Sequence, residues 1–115
     1  MPPPDDITRL RHILDAARKA VQFTQGKDRV DLERDELLGF GLVRLLEIVG
    51  EAAVGVSEGL RARHPEIAWR QMSGMRNRLI HGYFEVNQDL VWKTVTEELP
   101  PLIAQLQKAL EEERR

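Results

Sequence analysis

The sequence contains no cysteine. That absence removes disulfides, thiolate zinc sites and cysteine nucleophiles together. No run approaches the ~18 consecutive apolar residues of a membrane span. The N-terminus, "MPPPDDITRL", lacks the basic start and apolar stretch of a secretory signal. A cytoplasmic protein with no membrane partner is therefore expected. A strong net charge is also missing. The formal balance is −2 at pH 7, which argues against a sequence-independent nucleic-acid coat protein, because such a protein needs a strongly basic face. Metal-ligand spacing is absent too. None of His12, His64 and His81 follows a glutamate by three residues, and no His-x-x-x-His pair exists. Neither a metal nor a cofactor is expected.

What is present describes one helical domain over residues 1–115. Hydrophobic residues make up 42% of the 115 positions and charged residues 31%, a balance that folds and stays in solution. A chain of this length buries a modest core, so pairing with a second copy would hide further apolar surface. The charges are unevenly placed. Between Arg61 and His81 stand five arginines (61, 63, 70, 76 and 78) against one acid, Glu66, a local balance of five minus one, or +4. A basic patch on an otherwise acidic chain suits a specific anion site.

Helical periodicity dominates. Ile7, Leu10, Leu14, Ala17 and Val21 recur at three- and four-residue steps behind a capping Asp5 or Asp6, with Gly26 placed to end the helix. "KDRVDLERDE" reads as a polar connection with at most a short helical turn. A long second helix is expected from about Glu36 to Arg63, its apolar stripe formed by Leu38, Leu42, Leu45, Val49, Ala52, Val56 and Leu60. His64-Pro65 stops it, since a residue before proline disfavours the α region. A third helix over Trp69 to Ile80 turns Met72, Met75 and Leu79 inward, and Gly82 offers a left-handed stop. The fourth starts near Asn87 or Gln88 and carries Leu90, Val91, Val95 and Leu99. Pro100-Pro101 should kink or restart it, and Leu102, Leu106 and Leu110 continue the stripe. No strand pair is expected. The fold class is an all-α, antiparallel bundle of four to five helices.

Opposite the stripe of the long helix lie Arg44, Glu47, Glu51 and Glu58, within about 60° of one another at 100° per residue. Such a face is ordinarily solvated, with i,i+3 and i,i+4 pairs worth ~0.2–0.5 kcal/mol each. Arg44 and Glu47, however, sit in the otherwise apolar "GFGLVRLLEIVGEAA", so a partner could cover part of it.

The most concentrated chemistry is in "SGMRNRLIHGYFEV", residues 73–86. Asn77 and His81 are four apart and share a helix face. Arg76 precedes His81 by five, about 140° away on an ideal helix. The three form one patch only if the helix loosens near Gly82, if the arginine bends back, or if a second chain completes the site. Arginine supplies a rigid donor fork for phosphate, asparagine orients an acceptor or hydroxyl, and histidine serves as base and then acid near neutrality. These are the parts for RNA cleavage through attack of a 2′-hydroxyl on the adjacent phosphorus. Capping and dipole effects at a helix end are the competing explanation for the same residues.

"RNRLIHGY", with its Arg-x4-His-x-Tyr pattern, resembles the signature of HEPN domains and, more narrowly, the HepT-like ribonuclease toxins. "RLLEIVGEAA" (44–53), "HPEIAWRQMSGMRNRLIHGYFEVN" (64–87) and "LVWKTVTEELPPL" (90–102) resemble that family's blocks in its order. The resemblance implies a HEPN bundle and a homodimer whose two motifs line one cleft. It implies a metal-independent endoribonuclease acting on tRNA or mRNA, with Arg76, Asn77 and His81 as its catalytic set. Arg78 would extend the basic patch, with Glu47 and Glu51 in support. It further implies a toxin–antitoxin system in which a minimal nucleotidyltransferase, using ATP, attaches AMP to Tyr83 and silences the enzyme. The same fold also serves as a non-catalytic nucleotide-binding or nucleotidyltransferase-docking module, the alternative for this chain.

Overall fold

The structure, a computed structural model, describes residues 5–81 and 85–115, apart from the side chains of Arg76, Ile80, His81 and Glu85. Helix α1 (Asp6–Phe23) opens on Asp5, whose carboxylate accepts from the Thr8 amide at 2.8 Å. Its inner face carries Leu10, Ile13 and Leu14 together with Ala16, Ala17 and Ala20. The small residues let α3 (Glu36–Val54) lie close along it. A short α2 (Arg29–Arg34) joins the two. It is started by a reciprocal capping box between Asp28 and Asp31, and Gly26 supplies the positive φ, 73°, that the turn before it requires.

The long second helix expected over residues 36–63 is interrupted. Helix α3 ends at Val54, and α4 (Glu58–Arg63) begins after Gly55, Val56 and the capping Ser57. Two side chains hold the break. Arg61 donates to the Ala53 and Val54 carbonyls at 2.7 and 2.9 Å, adding to the Val56 amide on the first and satisfying the second, which the helix end leaves orphaned. Asp6 accepts from the Ser57 amide at 2.9 Å and its hydroxyl at 2.6 Å. Val56 and Leu60 stay buried across the break, which is why apolar periodicity alone reads through it. His64 terminates α4, as the following proline predicts.

His64 and Arg63 then fasten this corner to the far end of the chain. Helix α8 (Leu99–Glu113) brings Glu113 to 2.6 Å from the Arg63 guanidinium and 2.7 Å from His64 Nε2. A carboxylate only accepts, so Nε2 carries the proton. The Arg63 hydrogen bond, then that of His64, holds the Glu113 carboxyl down from 4.5 to about 2.

The third helix is also divided, into α5 (Trp69–Ser73) and α6 (Met75–Leu79) on either side of Gly74. It stops one residue before the expected Ile80. Ile80 and His81 pair antiparallel with Glu85 and Val86, a two-residue bridge (β1 and β2) where no strand pair was expected. The Asn87 amide closes it by donating to the Leu79 carbonyl at 2.7 Å. Leucine and methionine end where Ile80 begins, and a β-branched residue at a helix end yields readily to extended pairing. The Gly82 stop and Tyr83 lie outside the described residues.

Asn87 caps α7 (Gln88–Lys93) through the Leu90 amide at 3.0 Å. Of the two outcomes expected at the prolines, a kink or a restart, the chain takes the restart. Helix α7 passes into a π-helical turn, Thr94–Glu98, in which the Leu99 amide reaches back to the Thr94 carbonyl, and Pro100 and Pro101 then occupy the first turn of α8. There their missing N–H groups leave fewer partners unmet. Counting each interrupted helix once, the described residues form a bundle of five helical arms around one core, in which Leu42, Leu46, Val49, Leu99 and Leu106 are fully buried. No helix among the described residues is long and apolar enough to cross a membrane.

Candidate functional site

The residues of the motif are placed by what lies beneath α5 and α6. Trp69 is buried and its indole N–H donates to the His64 carbonyl at 2.9 Å, pinning the start of α5. Met72, Met75 and Leu79 point into the core as their spacing predicts. The ridge they form rests on α3 at Gly50. A side-chain β-carbon there would stand 3.0 Å from the Met72 carbonyl oxygen and 3.7 Å from that of Ser73. Glycine at this one position lets the backbone of α5 ride directly on α3.

That close approach assembles part of the expected site. Asn77, exposed on α6, shares a shallow cleft of about 180 Å³ with Glu47, Gly50, Glu51 and Val54 of α3 and with Ser73. Three of the residues singled out in the sequence, Asn77, Glu47 and Glu51, therefore line one cleft although they lie up to thirty positions apart. Arg44 leans along α3 over the same acids, 3.4 Å from Glu51 and 4.0 Å from Glu47. Arg76 stands on the same short helix as Asn77, and its side chain, like that of His81, lies outside the described residues. The backbone still answers one question. Helix α6 ends before His81, so the 140° separation of an unbroken helix does not apply to Arg76 and His81.

Arg78 is not part of that cleft. One residue turns the chain by 100°, and Arg78 faces the opposite flank of α6. There its guanidinium approaches Glu98 at 3.6 Å, at the end of a groove floored by Met72, Met75, Leu99 and Leu102. Glu98 in turn lies 3.1 Å from the Thr94 hydroxyl, which also reaches the Leu90 carbonyl at 2.7 Å. Nothing in the local sequence pairs residues 78 and 98; the π-helical turn brings them together. The basic patch read along the sequence is dispersed as well. Arg61 caps α3 and Arg63 holds Glu113, so both cations serve the fold. Among the described residues no three His, Asp or Glu side chains are grouped to hold a metal ion.

Comparison with known proteins gives this arrangement its context. The family described as Ribonuclease HepT-like matches residues 13–109, a span that includes α3, α5, α6 and the whole motif. A protein of Caldanaerobacter subterraneus subsp. tengcongensis, provisionally designated an RNase, is 35% identical over 105 residues, 91% of this chain and 94% of its own. The probable ribonuclease HepT of Thermococcus cleftensis is 38% identical over 99 residues, 86% of this chain and 90% of its own. A provisionally designated RNase of Methanocaldococcus jannaschii is 34% identical over 93 residues, 81% and 85% of the two chains. No solved structure gives a significant match. With a family match over most of its length and relatives matched nearly end to end, the chain belongs to the HepT-like ribonuclease family.

Proposed function

We propose that the protein is a metal-independent endoribonuclease, acts in the cytoplasm as a homodimer, and forms the toxin half of a toxin–antitoxin pair. The observation that carries this reading is the family match across residues 13–109, a range that includes Arg76, Asn77, His81 and Tyr83. In the reaction, His81 takes the proton of a ribose 2′-hydroxyl. The oxygen attacks the adjacent phosphorus, and the bond to the 5′-oxygen of the next nucleotide breaks. Arg76 balances the added negative charge on the phosphoryl oxygens. Asn77 orients the phosphate or the hydroxyl. The proton returns to the leaving 5′-oxygen, and the products are a 2′,3′-cyclic phosphate and a 5′-hydroxyl. The substrate is tRNA or mRNA.

Tyr83 is the point of control in this reading. A partner nucleotidyltransferase attaches AMP from ATP to its hydroxyl, and the added charge and bulk two residues from His81 exclude RNA.

The test is cleavage of RNA by the purified protein in EDTA. His81→Ala should lower the rate by ~10²–10⁴-fold, the range of general acid–base assistance. Arg76→Ala should also lose cleavage, and both variants should keep the parent's thermal midpoint. Variants that cut as fast as the parent remove the assignment. For Tyr83, the measurement is intact mass after incubation with the nucleotidyltransferase and ATP. A mass increase that persists in Tyr83→Phe places the modification elsewhere.

A further inference from the structure

The outer face of α3 is unusually apolar for a surface. Leu37 is 83% exposed, Phe40 68% and Val54 63%. Arg44 and Glu51 are exposed between them, with Glu47 half-buried. These six positions advance by steps of 3, 4, 3, 4 and 3. That is the spacing of a seam that packs along a second helix at a shallow angle.

The order of the seam selects its occupant. Read from either end toward the middle, it is apolar outside and charged inside, with Arg44 and Glu51 on opposite sides of a centre between Glu47 and Ile48 and Glu47 beside that centre. A two-fold axis through that centre places Arg44 against Glu51 of a second copy, twice, and Phe40 beside Val54, twice, while the two Glu47 carboxylates approach each other at the axis between the two ion pairs. A parallel pairing would set Arg44 on Arg44, Glu47 on Glu47 and Glu51 on Glu51, three repulsive contacts against the two attractive and one repulsive of the antiparallel pair. The face is thus complementary to itself in the antiparallel sense, the requirement of an isologous interface.

We infer that α3 pairs antiparallel with α3 of a second copy, and that this seam delivers Arg44 of each copy to the Asn77 cleft of the other. The cleft sits on the same stretch of helix, since Glu47, Glu51 and Val54 line it. At 1.5 Å per residue the two clefts lie ~10 Å apart along the seam. The partner's Arg44, facing Glu51, stands at the cleft's mouth. In the single chain Arg44 rests on its own Glu47 and Glu51. In the pair it turns outward to the neighbour and adds a phosphate-binding cation to a cleft whose own α3 wall is acidic. The inference deepens the dimeric ribonuclease reading by naming the face, the register and the residue exchanged.

The seam can be tested without any RNA, so its failure is distinguishable from failure of the cleavage assignment. Sedimentation should give twice the 13.2 kDa chain mass. Arg44→Glu and Glu51→Arg should each weaken self-association at least tenfold. An equimolar mixture of these two variants should associate as tightly as the parent, because unlike charges then meet across the seam. Register is read by thiol cross-linking against a background free of cysteine. A Phe40→Cys chain mixed with a Val54→Cys chain should oxidise to the mixed disulfide, and neither alone should cross-link. A monomeric parent, a dimer indifferent to both charge reversals, or cross-linking of Phe40→Cys with itself overturns the inference.

Discussion

Glu113→Gln is a sharp probe of how the bundle is closed. The carboxylate accepts from Arg63 at 2.6 Å and from His64 at 2.7 Å, joining the end of α4 to the end of α8. Its carboxyl is held at about 2 against an ordinary 4.5. Two and a half units at 1.36 kcal/mol each set an upper bound of roughly 3.4 kcal/mol on what the ionised form contributes. The Arg63 side chain is 56% exposed, so water screens much of that attraction, and about 1–2 kcal/mol is the expected remainder. For a chain of this size that is a loss of roughly 5 °C in thermal midpoint at pH 7. The sign with pH follows from the depressed value. The folded state prefers the carboxylate, so its contribution is complete above 4.5 and fades as pH falls toward 2. Thermal melts of parent and variant should therefore differ at pH 7 and converge between pH 5 and pH 2. A gap that stays constant over that interval, or no gap at pH 7, would refute the reasoning.

Two further substitutions probe the elements that position the site. Gly50→Val drives a branched side chain into the Met72 carbonyl, which a β-carbon would already approach to 3.0 Å. Urea titration should show ~1–3 kcal/mol of overpacking, and RNA cleavage should fall further than stability accounts for, as Asn77 is carried away from Glu47 and Glu51. Arg61→Ala leaves the Val54 carbonyl without its donor and the Ala53 carbonyl with the Val56 amide alone and should cost about 1–3 kcal/mol in the same titration, with Arg61→Lys recovering only part because an ammonium lacks the planar fork.

The motif itself is legible in the sequence, whereas its neighbourhood is only partly so. Arg76, Asn77, His81 and Tyr83 lie within eight residues, and the inward positions Met72, Met75 and Leu79 follow from spacing alone. Asn77 lining one cleft with Glu47 and Glu51 depends on a glycine contact between two helices, which periodicity does not encode. The grouping of five arginines from Arg61 onward is real in the sequence but not in space, because Arg61 and Arg63 turn back to cap and clasp the bundle. Glu98 carries no local signal at all, since its approach to Arg78 passes through a π-helical turn twenty residues downstream.

The sequence by itself determined the helical class, the buried stripes, the family and the candidate chemistry. Each of these rests on local spacing of three or four residues, or on blocks of residues kept in order. The tertiary structure decided where the long helices break, that α6 stops before His81, and that the Asn77 cleft and the Arg78 groove occupy opposite flanks. Those outcomes arise from side chains satisfying orphaned carbonyls and from backbones approaching across glycine. Such contacts join residues distant in the chain, and no period along the sequence records them.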